Sequence, residues 1–294
     1  MRLGIVTCTK CRHLIASEQA LLPLLAHKSI QGIPVVWNDP PIDWKAFDAL
    51  LVRSIWDYHL HPAEFQKWLS DMERLEVPVW NPVHALRWNH HKFYLRELQH
   101  LGVPIVPTLF LHQGQGDAKH KAQLLGWRVV VVKPAISASG YRTKVVDLTS
   151  PGAENILLEA SEFGDHLVQP FMPEIQQSGE VSLIFFDHKF SHAVLKRPRP
   201  GEFRVQAEYG GHEVPFAAEA GLVEQARRVL ESSGFKLLYA RVDGVVVDGE
   251  FRLMELELIE PDLFLETREG SGTTLVNSLV KKLNQHGFKS WASS

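Results

Sequence analysis

The stretch from Tyr239 to Pro261, YARVDGVVVDGEFRLMELELIEP, constrains this chain more than any other. Two runs of alternating apolar and polar residues, Tyr239 to Val247 and Phe251 to Ile259, flank Asp248-Gly249, a dipeptide suited to the left-handed backbone of a two-residue hairpin turn. Strand alternation puts Glu255 and Glu257 on one face and Leu256 and Leu258 on the other. Asp243 precedes the turn on the partner strand, so the three carboxylates are expected to converge across the ladder. Opposed like charges repel, and a carboxylate taken out of water must be paired or coordinate a metal. The face is therefore either solvated or a cation site, and all-oxygen ligands suit Mg²⁺ or Mn²⁺.

At 294 residues the chain is long enough for two or three lobes, and a net charge of -3 with 22% charged residues argues against a nucleic-acid surface. No apolar run reaches the length of a membrane span, and the start, MRLGIV, reads as a strand, so a cytoplasmic protein is expected. The only cysteines, Cys8 and Cys11, form one C-x-x-C. A zinc site needs four ligands and His13 is the sole further candidate nearby, so the pair reads as two reduced thiols.

Strands at Arg2 to Thr7, Ile33 to Trp37, Ala49 to Val52 and Val77 to Trp80 alternate with helices at Ser17 to Lys28 and Pro62 to Leu75, which predicts a parallel, doubly wound α/β lobe. No G-x-G-x-x-G supports a dinucleotide site. After Ala49 to Val52 comes Arg53-Ser54-Ile55-Trp56-Asp57-Tyr58, which is either a loop packed by its aromatics or a holder of a zwitterionic small molecule at the carboxyl end of a strand. A helix over Asn89 to Leu101 would carry Lys92. The strand Val129 to Lys133 delivers Lys133 to a small-residue loop, Ala135 to Tyr141, in which Ser137, Ser139 and Gly140 could let backbone N–H groups approach phosphate. A helix near Ala153 to Glu162, a strand from His166 that breaks at prolines, a hairpin turning at His188-Lys189, the basic stretch Lys196 to Arg204 and a helix over Glu219 to Ser233 complete the reading.

The ordered set, a helical lysine, strand-Lys-Pro with a small-residue loop, Q-x-F-x-P-E, an arginine-rich loop and D…E-x-E…P, resembles the ATP-grasp superfamily over roughly Trp88 to Leu283. It is similar to the branch holding prokaryotic glutathione synthetase and the ribosomal-protein glutamate ligases. R-S-x-W-D-Y and E-L-E-L-I-E-P are similar to the cyclo-ligase of D-cycloserine biosynthesis. The resemblance implies an ATP-grasp fold behind a pre-ATP-grasp domain, divided as 1–88, 89–172 and 173–294.

It also implies ATP and Mg²⁺ (or Mn²⁺). Lys92 and Lys133 would meet the α- and β-phosphates under a lid of Ser137, Ser139 and Gly140. Gln169, Phe171 and Met172 would read adenine, Glu180 the ribose, and Arg204 the γ-phosphate. Asp243, Glu255 and Glu257 match the ligands of two metal ions, although the family usually has Asn where Glu257 stands. Arg53, Asp57, Arg197 and Glu260 are expected to face an amino-acid-like substrate, and His192 and Glu260 are candidate general bases. The activity implied is ATP-dependent carboxylate–amine or ring-closing ligation through an acyl-phosphate, the alternative being an ATP-binding protein or phosphotransferase that forms no amide. Ser182 and Glu260 depart from the glutathione synthetase pattern and argue against its substrates. A homodimer is a family expectation; a membrane or nucleic-acid partner is not.

Overall fold

In the computed structural model, which describes residues 1–39, 41–206 and 209–288, the chain builds three sheets around one cleft. The first is parallel, with β1 (Arg2–Thr7), β2 (Gln31–Val36), β3 (Ala49–Val52) and β4 (Val79–Trp80) in the order β2-β1-β3-β4. All four residues of β3 are buried, as a strand covered on both faces must be. Helix Pro62–Leu75 turns Phe65, Trp68, Leu69 and Met72 inward at helical spacing, with proline at its start, where a missing N–H costs nothing. The expected helix over Ser17 to Lys28 is instead two short helices, Ala16–Gln19 and Leu21–Ala26, and no side chain caps the first. Pro23 has no N–H to return to Gln19, so the ladder breaks there.

The second sheet is antiparallel: β5 (Leu109–Leu111), β6 (Val129–Pro134), β7 (Lys144–Asp147) and β8 (His166–Pro170) in the order β5-β8-β6-β7. The third is also antiparallel: β9 (Glu180–Phe186), β10 (Lys189–Arg197), β11 (His212–Phe216), β12 (Tyr239–Val247) and β13 (Glu250–Glu257) in the order β11-β10-β9-β12-β13. The β12–β13 turn is Asp248-Gly249 as expected, with φ of 52° and 83° and Val247 opposite Glu250. The β9–β10 turn falls at Asp187-His188, one residue earlier than expected, both at positive φ.

The third sheet has two unlike faces. Leu183, Phe185, Ala193, Ala240, Val242 and Leu256 pack in one core with Ala226, Val229 and Leu230 of helix Ala220–Ser233. The alternate residues, Glu180, Ser182, Lys196, Arg241, Asp243, Glu255 and Glu257, line or underlie the cleft. The last helix, Ser271–Gln285, returns to the start of the chain, where Leu275 and Leu279 share a core with Leu21 and Leu25.

Lys92 does not ride on a continuous helix. Helices Val83–Asn89 and Tyr94–His100 leave it between them, its backbone N–H donating to Ala135 O at 2.8 Å. The interruption frees two side chains to cover the outer edge of β13. Asn89 donates to Leu256 O and accepts from Leu258 N, while the Tyr94 hydroxyl accepts from Leu256 N at 2.8 Å and donates to Leu256 O at 3.0 Å. An edge strand satisfied by side chains cannot pair with another chain. Among the described residues no helix is long and apolar enough to cross a membrane.

Candidate active site

A cleft of about 320 Å³ is lined by residues of the second and third sheets and by Trp56 and Tyr58, which follow β3 of the first. Its floor is a row of alternating charges on the third sheet. Lys196 pairs with Glu180, its partner across β9–β10, and reaches Asp243 at 3.3 Å. Arg241 takes the other side of Asp243 at 2.9 Å and pairs with Glu257, its partner across β12–β13. Ser182, opposite Asp243 on β9, donates to it at 2.5 Å. Glu255 lies opposite Asp243 and is held from the second sheet by Lys133 at 3.1 Å and from the helix break by Lys92 at 3.3 Å.

These pairings set the proton affinities. Burial works against the charge on Asp243, but Arg241 and Lys196 outweigh it and hold the carboxyl well below the usual range. Burial likewise opposes ionisation of Glu255, and Lys92 and Lys133 bring it down to about 2. Glu257 goes the other way: burial, with Asp243 and Glu255 nearby, exceeds the help from Arg241 and pushes it up to about 7. Glu260 follows in the row, and burial beside Glu257 pushes it up to about 8.

The three expected metal ligands share one face but not one point. Among the described residues no group of three or more His, Cys, Asp or Glu is spaced to hold a metal ion: Asp243 and Glu257 share Arg241, and Glu255 turns to Lys92 and Lys133. The donor chemistry nonetheless fits Mg²⁺, which commonly takes one or two carboxylates and completes its shell with phosphate and water oxygens. Glu255 is held by Lys92 and Lys133, the two lysines expected to meet phosphates.

The small-residue loop covers this floor. Ser137, Ser139 and Gly140 line the cleft, Ser139 and Gly140 at φ of 49° and 66°. Arg204 reaches over Gly140, where an added methyl would meet its Cδ at 3.5 Å. Glu202 forks the Arg204 guanidinium at 2.7 and 3.1 Å, and Tyr209 stacks beneath it at 3.6 Å. Gln169 and Met172 line the cleft beside Val106, Val131, Ile175 and Met254, an apolar slot next to Glu180. Phe171 is not among the lining residues; its N–H extends the sheet by donating to Val129 O at 2.9 Å.

Four more expected residues are placed elsewhere. Arg53 is buried behind the cleft, donating to Pro261 O at 2.8 Å, paired with buried Glu18 at 3.4 Å and lying over the Tyr239 ring. Asp57 accepts from the Trp37 indole at 2.7 Å. Arg197 is exposed at the end of β10, outside the cleft lining. His192 spends both ring nitrogens, one toward Ser191 and the other toward Leu263 O and Phe264 O, so it has none left to serve as a base. Only Glu260 of the expected substrate residues lines the cleft, together with Trp56 and Tyr58 from the first lobe.

Arg241 escaped the sequence reading although it stands two residues before Asp243, on the same face by strand alternation. Lys196 was legible only as one of a basic cluster, because its place opposite Glu180 depends on register. Cys8 and Cys11 are buried and free, and burial beside Cys8 pushes the Cys11 thiol up to about 12, as inert thiols require.

An antiparallel lobe that delivers a lysine and a small-residue loop over a second, acidic antiparallel sheet defines the ATP-grasp class, and this chain has that fold. Residues 3–81 match the family described as D-cycloserine synthetase DcsG, N-terminal domain. The cycloserine biosynthesis protein DcsG of Streptomyces lavendulae is 28% identical over 84% of this chain and 87% of its own length. The crystal structure of D-cycloserine synthetase DcsG superposes with a TM-score of 0.87 at 25% identity, covering 96% of this chain and 100% of that one. Glutathione synthetase of Prochlorococcus marinus is 27% identical over 72% of this chain and 66% of its own length. D-alanine–D-alanine ligase of Bacillus anthracis shares the fold, with a TM-score of 0.71 at 16% identity over 97% of this chain and 98% of that one.

Proposed function

We propose that this chain is an ATP-dependent, C–N bond-forming ligase that activates the carboxylate of a small amino-acid-like substrate as an acyl-phosphate and closes an amide-type bond, within one molecule or between two. What carries the reading is the joint grip of Lys92 and Lys133 on Glu255, which brings the two phosphate-binding candidates to the acidic sheet from separate elements. On ATP binding the phosphate oxygens take over these lysines and leave Glu255 free. Gln169 and Met172 flank the adenine and Glu180 reaches the ribose. Asp243, Glu255 and Glu257 are the side chains that would hold Mg²⁺, and the metal when bound neutralises charge on the transferring phosphoryl group.

A substrate carboxylate oxygen attacks the γ-phosphorus, the bond to the ADP oxygen breaks, and Lys133 with Arg204 offsets the developing charge. Nitrogen then attacks the acyl carbon, phosphate leaves with the C–O bond electrons, and the nitrogen loses a proton. Ser137, Ser139, Gly140 and Arg204 form a lid that keeps water from the acyl-phosphate. Residues 1–88 supply the substrate wall, 89–172 the nucleotide lobe and 173–294 the charged floor.

The test is phosphate release from ATP and Mg²⁺ across amino acids and dipeptides, singly and in pairs, with Glu255→Gln as control. Release that depends on a panel member and is lost in the control supports the ligase. Absence of nucleotide binding by the wild type, read as a missing rise in melting temperature with ATP and Mg²⁺, overturns it.

A further inference from the structure

The alternation of charge along the cleft floor stops one residue short. Glu180, Lys196, Asp243, Arg241 and Glu257 form an unbroken row of opposite signs, and Glu255 has two lysines of its own. Glu260 comes next, half-buried and lining the same cleft, and among the described residues no cation pairs with its carboxylate. A carboxylate in a partly desolvated site calls for a positive partner.

The segment that carries Glu260 is fastened rather than loose. The Trp56 indole donates to Glu260 O at 3.0 Å, Arg53 to Pro261 O at 2.8 Å and Arg241 to Asp262 O at 2.9 Å. His192 then bonds Leu263 O at 3.0 Å and Phe264 O at 3.1 Å. Successive carbonyls of an irregular strap are thus taken up by side chains from both the first and the third lobe. A strap held at every residue presents the Glu260 carboxylate in a fixed place, while Asp262, which also lines the cleft with no cation among the described residues, is taken up by the Phe264 N–H at 2.9 Å. Trp56 and Tyr58 line the cleft with it, and aromatic faces beside a carboxylate suit a positively charged nitrogen group.

We infer that Glu260, walled by Trp56 and Tyr58, is the subsite that receives the cationic nitrogen group of the substrate and so completes the row of alternating charge. This rests on the ligase reading for the identity of the cleft, and it deepens it. The substrate carries an ammonium or similarly charged nitrogen on one side and, toward Lys92 and Lys133, the carboxylate to be activated. Arg53 and His192 are positioning residues for the strap.

The experiment is calorimetric titration of the full chain with alanine and serine of both hands, each against its amine-free partner, propionate or hydroxypropionate. It is run with Mg²⁺ and a non-hydrolysable ATP analogue, and again without nucleotide. At least one amino acid should bind about tenfold or more tightly than its partner. Glu260→Gln should abolish that preference, and Glu260→Asp, which keeps the charge, should retain most of it. Equal binding of amino acid and amine-free acid by the wild type overturns the inference, as does a preference that survives in Glu260→Gln. Failure of the analogue to bind, with the cation preference intact in its absence, would count against the ATP reading and not against this subsite.

Discussion

Asp243 faces Glu255 across the β12–β13 ladder, yet the two carboxylates draw on separate cations, Arg241 and Lys196 for the first and Lys92 and Lys133 for the second. Opposed acids this close to one another would repel in an apolar setting. Division of the cations makes the floor stable without ligand, and it assigns different fates to the two pairs. All four cations are buried, but Arg241 and Lys196 stand on the same sheet as the acids they hold, whereas Lys92 and Lys133 reach Glu255 from other elements and are the ones we propose to share with a ligand.

Arg241→Met should therefore be a stability lesion first. It leaves Asp243 and Glu257 without their shared guanidinium and removes the donor to Asp262 O. Breaking a buried pair from one side costs about 3–5 kcal/mol, to be measured by urea denaturation of the wild type and the variant. A loss under about 1 kcal/mol would show that solvent, not Arg241, carries these charges.

Lys133→Met should behave differently. Glu255 keeps Lys92, so the fold is expected to survive with a small change in melting temperature. The rate of ATP-dependent phosphate release should fall by about 10²-fold or more, the usual cost of deleting one preorganised donor to a developing charge. A variant that melts normally and turns over at the wild-type rate would remove Lys133 from the chemistry.

How much of this was legible in the sequence depended on whether one strand or two were needed. The shared face of Glu255 and Glu257, the Asp248-Gly249 turn and helix Pro62–Leu75 follow from local period and turn chemistry, and each is present. Lys92 was expected on a continuous helix over Asn89 to Leu101, but Asn89 and Tyr94 end one helix and begin the next. Their real work, bonding the edge of β13, lies more than 160 residues away in the chain. Arg53 misled for a similar reason: it sits at the carboxyl end of a strand, where ligands gather, but the strap around Pro261 reaches it first. Long-range partners leave no local trace in a single sequence.

The pH dependence of stability should expose Glu260. Its carboxyl ionises near 4.5 when unfolded and is pushed up to about 8 by burial, so between those values the folded state holds a proton that the unfolded state has lost. Stability from this group accordingly falls as pH rises from about 4.5 to about 8. Glu257, pushed up to about 7, acts in the same direction, while the half-buried His90 and the buried His192, with lowered proton affinity, oppose it. The quantity to read is the difference between wild type and Glu260→Gln in ligand-free protein. The variant should gain in relative melting temperature from about pH 5 to about pH 8 and be level above that range. A difference that is flat with pH would mean that Glu260 is ionised in the free cleft.

Arg53 offers the last test, because its loss should weaken the strap without touching the nucleotide. Arg53→Met frees Pro261 O and leaves Glu18 buried without its cation, although Ser54 still donates to Glu18. A stability loss of about 3–5 kcal/mol is expected, with partial recovery in Arg53→Met/Glu18→Gln, since removing both charges costs less than orphaning one. The double variant is the informative one for function. It should bind an ATP analogue as the wild type does, because Arg53 does not line the cleft that holds Lys92, Lys133, Gln169 and Met172. Its apparent KM for the substrate should rise, because Glu260 and its neighbours are then held by Trp56, Arg241 and His192 but no longer at Pro261. A double variant with unchanged substrate KM would show that the remaining carbonyl bonds are enough to hold the strap. If analogue binding weakens in step with KM, the substitution has instead disturbed the cleft as a whole.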